Sequence, residues 1–376
     1  METNRFFPEI RGNFGFGCMR LPSKGGKIDT EQMKRMVDEF LAAGFNYFDT
    51  AHGYHNGASE PALRECLTSR CPREKYLLTD KLTDPYFKRQ EDIRPFFEKQ
   101  LESCGVDYFD FYLMHAQDAT NFEKFKHCRA YETALELKAE GRIRHVGISF
   151  HDKPEVLERI LTEYPQIELV QIQFNYLDYD DAAVQSGKVY EVCERHGKPV
   201  AVMEPIKGGS LVQLPDDAQR VFDGLGGYSN AGYALRFAGS FPNVCVVLSG
   251  MSDLAQMRDN VASMRDFRPL DAREREAVNK VRGVFSALRM IPCTACHYCV
   301  YDNDCPKKIP IPELFSCYNR KTAFHDWNQD YYYNVVLTRQ GGKASECVRC
   351  GKCEKVCPQH LEIRELLRAV AGEFER

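Results

Sequence analysis

Short apolar runs alternate with amphipathic ones along the first 265 residues or so, and the alternation repeats eight times. The runs at residues 14–21, 46–51, 76–82, 109–115, 145–150, 169–175, 199–205 and Val244–Gly250 are mostly continuous in apolar side chains. That is the pattern of parallel strands covered on both faces. The stretches between them carry a helical stripe. Met33, Met36, Val37, Phe40 and Leu41 fall at i, i+3, i+4, i+7 and i+8, with Asp29 and Gln32 placed for a capping box and Gly44 at the far end. Ile93, Phe97, Leu101 and Cys104 repeat the stripe before Gly105. Eight strand–helix units in about 250 residues predict a (β/α)8 barrel of the TIM type, an α/β fold. A doubly wound sheet would need a glycine-rich loop that opens a helix after the first strand, and Gly15-Phe16-Gly17-Cys18-Met19-Arg20 does not open one.

A barrel keeps its chemistry at the carboxyl ends of its strands. Those ends carry Asp49, Tyr54 on the following loop, Lys81 and His115, on three successive strands that a barrel makes neighbours. The set suits proton transfer to a carbonyl oxygen. A tyrosine titrates near ~10, so an adjacent ammonium, Lys81, is expected to stabilise the phenolate and lower that value. Asp49 would keep Lys81 charged and placed, and His115 would bond the substrate oxygen or share its proton with Tyr54.

Phe48-Asp49-Thr50-Ala51-His52-Gly53-Tyr54, followed by Ser59-Glu60, resembles the aldo-keto reductases, and the resemblance runs over residues 10 to 265. Leu137 with Gly141-Arg142-Ile143-Arg144 and His145-Val146-Gly147-Ile148-Ser149 matches a family hallmark. The resemblance implies an NADP- or NAD-dependent reductase with Tyr54 as proton donor and Asp49, Lys81 and His115 completing a tetrad. It implies cofactor contacts at Ser149, at Gln171 for the carboxamide, at Met203, and at Ser249, Gly250, Gln256 and Asn260 for the adenosine end. Two departures stand out: Phe150 replaces the usual Asn, and Met203 replaces an aromatic that stacks on the nicotinamide. Gly250 and Gln256 occupy positions where some members pair Lys and Arg with a 2′-phosphate. Arg258 and Lys207 are the basic residues available to compensate, and the expectation leans to NADP. Variable loops, including Tyr86, Phe87 and residues 116–125 and 210–228, would line the substrate pocket.

After Met264 the pattern changes. Residues 269–290 read as a charged helical join between a barrel at 1–268 and a small domain at 291–376. There Cys293-x-x-Cys296-x-x-Cys299 leads to Cys305-Pro306, and Cys347-x-x-Cys350-x-x-Cys353-x-x-x-Cys357-Pro358 follows. The second run has the spacing of a ferredoxin 4Fe–4S motif, and in two-cluster ferredoxins the fourth cysteine of each run ligates the other cluster. Cys293, Cys296, Cys299 and Cys357 would hold one cluster, and Cys347, Cys350, Cys353 and Cys305 the second, in a ferredoxin-like α+β domain. Two zinc sites are the competing reading; zinc modules supply cysteines in separated pairs, and triplets favour iron–sulfur. Barrel and cysteines together resemble bacterial iron–sulfur aldo/keto reductases. Tyr318, Phe324, Trp327 and Tyr331 to Tyr333 concentrate aromatic surface between the runs, for packing between domains or for a docking face.

The remaining composition narrows the function. Fifty basic and 54 acidic residues leave a net charge of −4, so neither nucleic acid nor an anionic membrane is an expected partner. Met1-Glu2-Thr3-Asn4-Arg5 lacks the design of a signal peptide, and no stretch nears the ~18 apolar residues of a membrane span. A cytoplasmic location is expected, where clustered cysteines bind metal and the eight scattered ones are small buried hydrophobes. The expected function is reduction of an aldehyde, ketone or quinone, joined to an electron-transfer module whose partner would be a ferredoxin- or flavodoxin-type protein. A nucleotide-binding redox or iron sensor without turnover is the alternative, and the intact set of Tyr54 and Lys81 argues against it.

Overall fold

The computed structural model describes residues 4–181, 184–288, 290–301, 305–324, 328–339 and 341–375. The chain forms two compact units, one of Met1–Asp180, Gln185–Pro205 and Ala231–Leu270, the other of Asp181–Val184, Ile206–Asn230 and Asp271–Arg376.

In the first unit, strands β1 (Phe14–Gly17), β4 (Tyr47–Asp49), β5 (Leu77–Leu82), β6 (Phe109–Gln117), β7 (Ile143–Phe150), β8 (Leu169–Gln173), β9 (Val200–Met203) and β10 (Val244–Gly250) close a parallel barrel. A small antiparallel hairpin, β2 (Ser23–Lys24) and β3 (Lys27–Ile28), lies apart from it. All eight expected strands are present; Val244–Gly250 keeps its expected bounds and the other seven differ at one or both ends. β1 stops at Gly17 because Cys18–Arg20 turn into a 3-10 helix. β8 stops at Gln173 because the Asn175 Oδ1 accepts the Leu177 and Asp178 amides at 3.0 Å, a turn that ends the extended chain. β6 runs on to Gln117 through a register shift against β7, with Ala116 in the left-handed region at φ 50°. Such a bulge re-aims neighbouring side chains at a barrel rim, here just after His115.

Alternation along the strands sorts the core. Inside the barrel Tyr47, Phe111, Leu113, Leu169, Val246 and Leu248 pack together, and Phe7 and Ile10 join them. The Asn46 side chain ties that N-terminal segment down, accepting from the Arg11 amide and donating to the Glu9 carbonyl, both at 2.9 Å. Outside, Phe14, Phe16 and Phe48 meet Phe40 of the helix Thr30–Ala42 with ring centroids 5.4 to 5.8 Å apart. That helix forms only half of the expected capping box. Asp29 accepts from the Gln32 amide at 3.0 Å, but the Gln32 side chain accepts from the Leu254 amide instead of reaching back. The helix Gln90–Cys104 ends as expected, with Gly105 at φ 68°. Seven of the eight scattered cysteines are buried, Cys71 being half-buried.

The second unit has its own core, centred on Leu314, Phe315, Cys317, Tyr333, Leu367 and Val370. The helices Ile311–Phe324 and Ile363–Phe374 supply most of it. The expected α+β pattern finds no strand among the described residues of this unit. The cysteine-bearing loops pass through left-handed residues at Ala295, His297, Lys308, Arg349, Gly351 and His360, which interrupt extended backbone. The aromatic segment divides: Tyr333 is fully buried and stacks on Phe374 at 4.5 Å, whereas Tyr331 and Tyr332 are exposed. Trp327 and the Phe324 side chain lie outside the described residues.

Candidate functional site

The barrel register puts the candidate residues at the strand ends. Asp49 is level with Gly17 on β1 and Thr79 on β5, Ser149 with Gln171, Gln173 with Met203, and Gly17 with Gly250. On β5 the period of two sends Lys81 to one face and Asp80 to the other.

Lys81 is fully buried, and its Nζ lies 2.7 Å from Asp49 Oδ1, 2.7 Å from the Thr50 carbonyl and 3.4 Å from the Tyr54 hydroxyl. The other Asp49 oxygen accepts from the Gln171 amide at 2.9 Å, so one carboxylate joins the proposed catalytic and cofactor groups. Tyr54 stands on a turn where His55 and Asn56 hold φ of 52° and 55° and Gly57 85°. Left-handed backbone at a non-glycine residue costs about 1–2 kcal/mol. The His55 Nε2 offsets part of this by accepting from the Leu21 amide at 3.0 Å. Burial also pushes the His55 titration down, keeping the ring the neutral acceptor this bond needs.

His115 Nδ1 shares a 2.8 Å hydrogen bond with Thr83 Oγ1, and its ring centroid is 6.2 Å from that of Tyr54. Burial, then the Lys81 charge, hold its titration well below the ordinary range, so the ring is neutral. The charge balance on Tyr54 departs from the sequence expectation. Burial, followed by the Asp49 carboxylate, raises the phenol well above its ordinary value. A half-neutralised Lys81, shared with Asp49, does not outweigh desolvation of a buried phenolate. Tyr54 is therefore protonated at neutral pH, which is the state a proton donor starts from.

The cofactor candidates are also at the strand ends. The Ser149 Oγ accepts from the Ala116 amide at 2.7 Å, and the Asn260 amide donates to Ser249 Oγ at 3.0 Å. Ser149, Gln171, Ser249 and Asn260 are buried, Met203 is half-buried, and Gly250 and Gln256 are exposed. Gln256 Oε1 accepts from the Ser252 amide at 2.8 Å. Arg258 is not a free cation: both arms of its guanidinium bond Glu39, at 2.7 and 2.6 Å. Lys207 belongs with the second unit. Phe87 is buried against Phe125, so of the two expected pocket aromatics only Tyr86 is exposed. Pattern reading passed over Thr83 and Thr50, although Thr83 sits two residues beyond Lys81, where strand alternation returns to the same face. It also missed Glu204, at φ 55° and 3.5 Å from Arg20.

In the second unit Cys293, Cys296, Cys299 and Cys357 line one small, partly open cleft together with Thr294 and His297. Cys305, Cys347 and Cys353 pack against the same core, and Cys350 is exposed. No three His, Cys, Asp or Glu side chains among the described residues stand at metal-binding geometry. No helix among them is long and apolar enough to cross a membrane.

Comparison with known proteins places this geometry. The model of the aldo/keto reductase family matches residues 13–282. The NADH-specific methylglyoxal reductase of Escherichia coli is 27% identical over 208 residues, which is 50% of this chain and 61% of that enzyme. The chain thus matches about three fifths of that relative's length. Among solved structures, an aldo-keto reductase of Klebsiella pneumoniae in complex with NADPH shares the fold, with a TM-score of 0.59 at 19% identity over 72% of this chain and 90% of that one. The holo form of an aldo-keto reductase from Bacillus halodurans gives 0.57 at 25% identity, covering 72% and 91%. With a family match that spans the whole barrel, the chain belongs to the aldo/keto reductase family.

Proposed function

We infer that the chain is an NAD(P)H-dependent oxidoreductase that reduces the carbonyl of an aldehyde, ketone or quinone, with Tyr54 as proton donor. The observation that carries the reading is the position of Lys81 Nζ, 2.7 Å from Asp49 and 3.4 Å from the Tyr54 hydroxyl in a buried setting. A bound nicotinamide supplies the hydride. Tyr54 gives its phenolic proton to the carbonyl oxygen, and the ammonium of Lys81, oriented by Asp49, balances the charge left on the phenolate. With His115 Nδ1 engaged by Thr83, Nε2 is the ring atom left to hydrogen-bond the substrate. Ser149, Gln171, Met203, Ser249, Gly250, Gln256 and Asn260 would hold the nucleotide. Buried hydroxyl and amide groups at strand ends fit the amide and sugar groups of such a ligand. The Escherichia coli relative is NADH-specific by name and the Klebsiella neighbour was solved with NADPH. The engagement of Arg258 by Glu39 removes one support for NADP, so both nucleotides enter the test.

The same reading gives the cysteine-bearing unit two 4Fe–4S clusters, one on Cys293, Cys296, Cys299 and Cys357, the other on Cys305, Cys347, Cys350 and Cys353. Its support is the first set: four thiols from two distant motifs line one cleft, the donor set such a cluster takes. Clusters of this kind exchange single electrons, and a ferredoxin- or flavodoxin-type protein in the cytoplasm is the partner we propose. Functionally, residues 1–268 carry the reduction, 269–290 the join and 291–376 the clusters.

The test uses anaerobically purified full-length protein and a panel of aldehydes, ketones and quinones. Tyr54→Phe is expected to slow nucleotide oxidation about 10²–10⁴-fold while nucleotide binding, followed by fluorescence, survives. Equal rates in variant and wild type would remove Tyr54 from its role. Iron and acid-labile sulfide in equal amounts, with broad visible absorbance, are expected; zinc in colourless protein would sink the cluster assignment.

A further inference from the structure

Lys81 is held by its backbone as well as by its side chain, and that hold leads to a pair of carboxyl groups which the reductase reading does not use. The Lys81 amide donates to Asp80 Oδ1 at 2.8 Å, and the Lys81 carbonyl accepts from Gln100 Nε2 at 3.0 Å. Gln100 lies on the helix Gln90–Cys104, and its Oε1 accepts from the Tyr112 hydroxyl of β6 at 2.5 Å. The same Nε2 reaches Glu60 Oε1 at 3.4 Å, and Glu60 Oε2 shares a 2.9 Å hydrogen bond with His52 Nδ1. Asp80, Gln100 and Tyr112 are fully buried and Glu60 is 1% exposed.

Two carboxyl groups buried side by side are costly, and apolar side chains of similar volume would fill the space at less cost. Burial raises both above their ordinary values, Glu60 to about 7, and the Glu60 charge raises Asp80 further. The other ionisable groups that face the pair are His52 from the turn after β4, Lys99 and Cys104 from Gln90–Cys104, Tyr112 from β6 and Lys81 from β5 itself. The two ammonium groups favour ionisation of the pair but do not outweigh burial. A negative charge therefore enters the pocket as pH climbs through about 7. The pocket is also felt at the reacting group: after burial and Asp49, the Asp80 charge is among those that oppose loss of the Tyr54 proton. An anion behind Lys81 works against the phenolate that carbonyl reduction leaves on Tyr54.

We propose that Glu60 is a positioning residue for the reduction, holding the Lys81 peptide from behind together with Asp80 and Gln100. Its neutral form supports transfer of the Tyr54 proton and its anion opposes it. The proposal rests on the reading of Tyr54 as proton donor with Lys81 beside it, and its test separates the two.

Wild type, E60Q, Q100L and Y54F are purified as full-length chains, and nucleotide binding is followed by fluorescence. Single-turnover oxidation of NADH or NADPH is measured across about pH 5 to 9, with the aldehyde, ketone or quinone that the wild type reduces fastest. The wild-type rate constant is expected to fall as pH climbs through about 7, and the fall is absent from E60Q, whose amide cannot ionise. Q100L is expected to lower the rate constant about 10–100-fold at every pH, with KM and nucleotide affinity little changed. A wild-type rate that stays level through neutral pH, or the same fall in E60Q as in wild type, overturns the role of Glu60. Q100L at the wild-type rate overturns the hold on the Lys81 peptide; a Q100L chain that binds no nucleotide leaves the E60Q profile to decide. Y54F at the wild-type rate overturns the reading of the site, and this proposal with it. Y54F slowed while E60Q follows the wild-type profile overturns this proposal alone.

Discussion

Behind Lys81, on the outward face of β5, two carboxyl groups share a buried polar pocket. Asp80 is fully buried and Glu60 1% exposed. The Glu60 Oε2 is 2.9 Å from His52 Nδ1, and Gln100, which donates to the Lys81 carbonyl at 3.0 Å, also reaches Glu60. Desolvation by burial raises Glu60 from an ordinary value of 4.5 to about 7 and raises Asp80 as well. A group raised in the folded state contributes stability that is complete below its unfolded value and is lost as pH climbs through the folded one. The window for Glu60 is thus about 4.5 to 7. Glu60→Gln is expected to flatten the decline of Tm between pH 5 and pH 8, leaving the smaller slope due to Asp80. Parallel Tm-against-pH curves for variant and wild type would exclude this role. None of it was legible beforehand. Ser59-Glu60 stands in the sequence only as part of the family-like segment, and the Glu60 shift depends on burial against Gln90–Cys104, which no local pattern encodes. The direction of the Tyr54 shift was missed for the same reason: charge proximity can be read from strand order, desolvation cannot.

Between elements, Asp110 joins three strands near their amino ends. Its carboxylate is fully buried; Oδ2 accepts from the Leu78 amide on β5 at 2.8 Å and from Arg73 at 2.6 Å, and Oδ1 from Arg144 on β7 at 2.9 Å. Removing a buried carboxylate strands both the amide and the guanidinium groups. Arg144 is half-exposed and recovers water, so the cost belongs at the low end of the range for broken buried pairs. Asp110→Ala is expected to lower unfolding stability by about 3 kcal/mol, measured by urea denaturation, and Asp110→Asn by less. A change within error for Asp110→Ala would show that the three strands do not depend on this tie. The strands themselves were legible as apolar runs because parallel strands buried on both faces have no polar side to confuse the pattern. Most of their ends were not, since the apolar runs continue past the turns that stop the strands, at Cys18–Arg20 after β1 and at Asn175 after β8.

At the scale of the whole molecule, linear order and structural grouping differ. The segment Ile206–Asn230 follows the seventh barrel strand yet groups with residues after Asp271. Its helix Asp216–Asp223 buries Ala218 and Phe222 and packs on the helix Ala272–Ala287, where Arg273 donates to the Gly224 carbonyl at 2.7 Å. A chain ending at Leu270 would leave this apolar face without its partner. Such a fragment is expected to bind a hydrophobic dye and melt below the first transition of the full chain. A fragment with unchanged Tm and no dye binding would show that the segment is stable by itself. The sequence offered no sign of this grouping, because the periodicity of Asp216–Asp223 tells that one face is apolar but not what covers it.

What the sequence determined by itself was periodicity, residue type and spacing. Eight buried-strand runs entail a barrel, and a barrel entails that Asp49, Lys81 and His115 end neighbouring strands. Triplets of cysteines at two-residue spacing are chemistry of the chain alone. The tertiary structure decided everything that depends on exclusion of water or on contact between distant segments. It left Tyr54 protonated, joined Gln171 to Asp49 across 122 residues, engaged Arg258 with Glu39, and set Gln100 on the Lys81 carbonyl. Desolvation and close approach are properties of a packed volume, and they exist only once the chain has folded.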